Sequence, residues 1–214
     1  MRGKTLSKLL AALLVAGAAA GWWMKSRPPR PLQPPLDDRG HQGYQRLEGC
    51  RWIEHGANDG DSFHVRLPDG SRMHIRLYYV DAPETSYKRY DDGNDNAKRL
   101  HYQAKYFGSL SRKRITAVGR EARGWVKHTL ADRAFTIITN RELVFGGPRV
   151  FAFVELAEDG RRRYLHELLV EEGMARIYTR GSRMPDGTSV ARQEARLRKL
   201  ERAARREGRG GWER

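Results

Sequence analysis

The chain has 214 residues, with 41 Lys and Arg against 26 Asp and Glu, a formal net charge of +15 and a pI of about 10.3. That balance favours a polyanionic partner, nucleic acid or an anionic lipid surface. Cys50 is the single cysteine, which excludes an intrachain disulfide and a Cys-rich zinc site, and a buried or inert thiol is expected there.

Residues 1–8 carry Arg2, Lys4 and Lys8, and an uncharged run from Leu9 to Met24 follows. A basic start before an apolar run marks an export segment. The small residues around Ala20 suit cleavage, whereas Trp22 and Trp23 suit a membrane interface, so residues 1–25 read as a signal peptide or a retained single-pass anchor. Export, to the periplasm or medium or held at the cell membrane through residues 9–24, is expected. Five prolines between Ser26 and Gly40 read as an extended spacer, giving a linker over 26–46 and one domain over 47–214.

From there the hydrophobic period is two. Phe63, Val65 and Leu67 share one face of a strand. Pro68 to Ser71 is turn chemistry, and alternation resumes over 72–80 with Met73, Ile75, Leu77 and Tyr79 on one face and His74, Arg76 and Tyr78 on the other. Pro83 ends this strand. Residues 86–116 are polar and basic, and within them 96–108 reads as a helix stopped by Gly108. A second helix is expected over 116–132, strands over 135–139 and 149–156, a short helix over 164–173 with Leu165, Leu168 and Leu169 inward, an extended piece over 173–178, and a last helix over 190–208 striped by Val190, Leu197, Leu200 and Ala204. No internal repeat is found. Short strands with helices concentrated late in the chain predict an α+β fold, a five-stranded oligonucleotide-binding (OB) type barrel with helices packed on it.

The acids frame the functional question. Asp59 and Asp61 lie in "DGDSF", and Asp81 and Glu84 close the following strand in "YYVDAPET". Asp59 reads as turn punctuation. The histidines at 55, 64, 74, 101, 128 and 166 show no ligand spacing. The run "DGDSFHVRL…HIRLYYVDAPET…PRVFAFVEL…YLHELLVEEGMARIY…REGRGGW" resembles the staphylococcal nuclease (thermonuclease) family over roughly Gly49 to Trp212, with a longer stretch after Glu84.

The resemblance implies an OB barrel with three helices and calcium-dependent hydrolysis of phosphodiesters in DNA and RNA. It implies that Asp61, Asp81 and the backbone carbonyl of Ala82 hold Ca2+, that Glu84 is the general base, and that Arg76 and Arg149 bind phosphate. Arg149 follows "FGGP", a departure from the family pattern that can shift its guanidinium. Tyr178 is a candidate contact to a base or phosphate. The expected partners are DNA or RNA, and the expected state is a monomer. A phosphodiester anion needs its oxygens neutralised and a water activated in line, which hard-oxygen ligands, arginine forks and a nearby carboxylate supply. The competing readings are a barrel that binds nucleic acid or a peptide without catalysis, and a basic, membrane-tethered scaffold. Arg76 and Asp81, five residues apart, would point to opposite faces of an unbroken strand, so a redirection near Pro83 or a bulge is expected.

Overall fold

A computed structural model describes residues 43–158 and 161–213. The export segment and the spacer up to residue 42 lie outside them. Among the described residues no helix is long and apolar enough to cross a membrane.

The strands are β1 (Gln45–Trp52), β2 (Ser62–Arg66), β3 (Arg72–Leu77), β4 (Val80–Asp81), β5 (Phe135–Thr139), β6 (Val150–Glu158), β7 (Arg161–Tyr164) and β8 (Arg176–Ile177). The helices are α1 (Ala97–Tyr106), α2 (Arg112–Leu130), α3 (Leu165–Glu171) and α4 (Val190–Glu207), with a 3₁₀ turn at Gly210–Trp212. The order β3-β2-β1-β5-β6 closes on itself because β3 also pairs with β6, in parallel. The result is a closed five-stranded barrel with four helices, consistent with an OB fold. β7 extends β6 as a hairpin outside the ring. β1 bends through a bulge between Leu47 and Cys50, where Gly49 has φ +78.

The inward face of the β2–β3 hairpin follows the period of two. Phe63, Val65 and Ile75 are fully buried and meet Ile137, Phe153 and Leu169 in the main core. Cys50 is buried, and desolvation pushes its thiol up to about 11, so it is an inert core residue. The second face is covered too, since Tyr78 is fully buried and stacks on Phe151.

α2 starts one turn earlier than its apolar pattern suggests, because Ser111 caps it by accepting from the Arg114 N–H. α1 builds a smaller cluster of its own from Leu100, Ala104 and Phe107 with Ile115 of α2. The terminal "GGW" closes that cluster. Trp212 packs on Phe107 at a centroid distance of 4.7 Å, and a Cβ at Gly211 would come within 2.5 Å of the Phe107 ring. Only glycine lets the C-terminal turn seat against α1.

The expected continuous strand over 72–80 is broken. β3 stops at Leu77, and Tyr79 adopts φ +70 before β4 pairs with β8. Such a backbone is rare for a bulky residue. Here it is held by hydrogen bonds from the Tyr79 N–H to the Arg180 carbonyl and from the Tyr178 N–H to the Tyr79 carbonyl, each 2.9 Å.

Candidate functional site

The turn "DGDS" is built by Asp59, whose Oδ1 accepts the backbone N–H of Asp61 at 3.1 Å and of Ser62 at 2.7 Å. That bonding presents Asp61 at the start of β2. The turn packs against α2 so closely that a Cβ on Gly60 would lie 2.8 Å from both the Ala82 and the Ala122 Cβ. Glycine at 60 is therefore required by packing.

The reversal at Tyr79 swings Asp81 back toward Arg76. The Arg76 guanidinium then reaches both acids, with Nη1 2.7 Å from Asp61 Oδ1 and Nη2 2.8 Å from Asp81 Oδ1. The Ala82 N–H donates to Asp61 Oδ2 at 2.5 Å. All three side chains are buried.

Four groups outside the expected set complete the site. Arg99 of α1 donates through Nη2 to Asp81 Oδ1 at 2.6 Å and sits with Nε 3.1 Å from Glu84 Oε1. Gln103, one helical turn on, donates through Nε2 to Asp81 Oδ2 at 2.9 Å and to the Ala82 carbonyl at 3.1 Å, and its Oε1 accepts the Glu84 N–H at 3.0 Å. Asn96 donates to Glu84 Oε2 at 3.3 Å. Arg176, opposite Asp81 in the β4–β8 register, donates to Asp81 Oδ2 at 2.8 Å. The stretch after Glu84 is thus wired directly to the acids. A clue existed in the sequence: Arg99 and Gln103 are spaced i, i+4 on one helix, and Gln103 lies on its buried side between Leu100 and Ala104.

Arg149 is set apart from Asp81. The "FGGP" loop closes on a 2.9 Å bond from the Val144 N–H to the Arg149 carbonyl, and Arg149 Nη1 donates to Ser62 Oγ at 3.3 Å. Ser62 follows Asp61 and faces Arg76 across the β2–β3 ladder, so Arg149 borders the site from the barrel side. Tyr178 is exposed, and the Arg176 guanidinium lies 3.9 Å from its ring centroid. A cavity of about 390 Å³ opens over Arg76 and Asp81 and takes in Arg99, Arg176 and Tyr178.

The two aspartates differ electrostatically. Burial pushes the Asp61 carboxyl well above its ordinary value, and Arg76 only partly offsets this. Burial acts on Asp81 too, but Arg99, Arg76 and Arg176 outweigh it and hold that carboxyl below the usual range. Asp61 Oδ1 is buried with no hydrogen-bond donor, since Arg76 is near it but poorly aligned. An orphaned carboxyl oxygen, a second carboxylate and a carbonyl are a donor set that fits a hard cation. Among the described residues no three or more His, Cys, Asp and Glu side chains converge as a metal site. His55, His64 and His74 form a stacked row, with centroids 4.0 and 3.9 Å apart, rather than a ligand set.

A family model described as staphylococcal nuclease homologue matches residues 74–214, about two thirds of the chain. The chain belongs to this family. The staphylococcal nuclease homologue match contains Arg76, Asp81, Ala82, Glu84, Arg149 and Tyr178, and it begins after Asp61. No curated protein matches the chain.

Proposed function

We propose that the chain is an exported or membrane-anchored nuclease that hydrolyses phosphodiester bonds of DNA or RNA with Ca2+. The observation that carries this reading is the single guanidinium of Arg76 set between Asp61 and Asp81, with Glu84 tied to the same Asp81 through Arg99. Two buried carboxylates bridged by one guanidinium, a third carboxylate held beside them by Arg99, and a cavity opening over Arg76 and Asp81 suit attack on a phosphate anion.

Asp61, Asp81 and the Ala82 carbonyl would hold the cation. When bound, calcium would neutralise phosphate charge and place water near the phosphorus. Arg76 and Arg149 grip the non-bridging oxygens with forked guanidinium groups. Glu84 takes the proton of the attacking water, and Asn96, Arg99 and Gln103 fix where its carboxylate sits. Cation binding at Asp81 competes with Arg99, Arg176 and Gln103 for its two oxygens. Products with a 5′-hydroxyl and a 3′-phosphate follow from the family reading, and an unpaired strand suits the surface of such a barrel.

That crowding of Asp81 favours a second reading, a barrel that binds nucleic acid without cutting it. Digestion of a labelled single-stranded oligonucleotide separates the two. Cleavage in calcium that stops in EDTA supports the nuclease; binding with no cleavage in either buffer supports the binder.

A further inference from the structure

We infer that Lys98, Arg99 and Tyr102 of α1 form a nucleotide-gripping wall that makes the site selective for single strands. This rests on the nucleic-acid reading of the same site. The cavity over Arg76 and Asp81 is lined by Lys98, Arg99 and Tyr102 of α1 together with Tyr178 and Phe145. Three of the most exposed aromatic rings of the described residues border this one opening: Phe145 is 92% exposed, Tyr178 68% and Tyr102 51%. Large apolar rings left in water around a charged cleft mark a contact surface. Single-stranded nucleic acid uses this pairing of rings for bases and cations for the backbone.

The wall is built rather than incidental. The Arg99 side chain is 40% exposed and already oriented by Asp81 and Glu84, so its guanidinium is preset at the edge of the phosphate position. Arg176 sits over the Tyr178 ring and anchors to Asp81, which ties that ring to the site. α1 itself is clamped by Phe107 on Trp212 and by the Tyr106 hydroxyl on Glu201. An unstacked base can stack on an exposed ring, while a base inside a duplex cannot leave its stack without cost. The wall therefore selects an unpaired nucleotide beside the phosphate held over Arg76.

Lys98 and Tyr102 are exposed, so changing them leaves the Asp81 contacts in place. Binding of the full chain to a fluorescent single-stranded DNA and to its duplex is measured by anisotropy in EDTA, which keeps hydrolysis out of the readout. Tyr102→Ala is expected to weaken single-strand binding about tenfold and duplex binding far less, with Tyr102→Phe restoring it. Lys98→Ala is expected to lower the slope of log affinity against log salt by about one. Lys199→Ala, an exposed charge on α4, controls for net charge. Equal single-strand affinity for Tyr102→Ala, Lys98→Ala and Lys199→Ala overturns the wall, even in an active nuclease. Weaker single-strand binding in the two α1 variants, with duplex binding largely kept by Tyr102→Ala, upholds it even for a chain that never cleaves, and an equal loss on both strands overturns the selectivity.

Discussion

Arg76 precedes Asp81 by five residues and donates to its carboxylate at 2.8 Å. An unbroken strand would put them on opposite faces. The left-handed backbone of Tyr79 turns the chain between them, upstream of Pro83. Lysine at 76 keeps one charge but cannot span two carboxylates. Arg76→Lys is expected to slow cleavage by about 10²–10³, while Arg76→Ala also destabilises the fold by about 3–5 kcal/mol, because it strands buried acids. Cleavage rates and urea unfolding read the two effects separately.

Asp61 is the strained member of the pair. With its carboxyl raised by burial, the charged form costs stability at neutral pH, and the penalty disappears as pH falls through the folded-state value. Asp61→Asn keeps an acceptor for the Ala82 N–H and removes the charge. In EDTA this variant is expected to melt about 2–4 °C above the parent, the equivalent of about 1 kcal/mol. Calcium is expected to raise the melting temperature of the parent and to leave the variant unmoved.

Gly119 of α2 lies under the backbone that carries Glu84. A Cβ there would sit 2.5 Å from the carbonyl oxygens of both Pro83 and Glu84. Alanine ordinarily favours a helix by about 1 kcal/mol over glycine, but backbone oxygens cannot move aside as a flexible side chain can. Gly119→Ala is expected to lose about 1–3 kcal/mol and most of the cleavage rate. Gly124→Ala, on the same helix with nothing within 4 Å, is expected to be neutral or stabilising. Paired denaturation curves check this.

His166 sets an acid limit. It is fully buried between Tyr79 and Tyr164, and desolvation lowers its pKa to about 3. The unfolded chain takes this proton near pH 6.5 while the folded chain resists it, so stability falls as pH drops below 6.5 and keeps falling toward 3. At pH 5 the loss from this residue is about 2 kcal/mol. His166→Phe, which keeps a ring against Tyr79, is expected to flatten the melting temperature between pH 7 and 5 relative to the parent.

How far the sequence reached depended on the range of the interaction. The strand expected at 135–139 is β5 itself, because apolar β-branched residues run between clear breaks. Leu165, Leu168 and Leu169 are buried as their spacing requires. β1 is not evident from alternation, since the bulge at Gly49 shifts its period and most of its side chains face outward or to the rim. β7 is a run of arginines ending in Tyr164, held by pairing with β6 alone, and carries no apolar signal. The last helix buries Gln193 and Glu201 alongside Leu197, while Val190 stays at the surface. At the site, acids and arginines in one linear motif were legible. Arg99, Gln103 and Arg176 were not, because they meet Asp81 from 18, 22 and 95 residues away, and the i, i+4 spacing of the first two shows a shared helix face but not where that helix docks.

The most direct test of the proposed chemistry is the single-turnover rate at which parent and Glu84→Gln cut a labelled single-stranded oligonucleotide in calcium, with its affinity measured alongside. Cleavage by the parent, and a variant slowed about 10²-fold or more at unchanged affinity, is the predicted result. Equal rates for the two proteins, or a parent that binds the strand and never cuts it, would contradict a catalytic role for this cluster of acids.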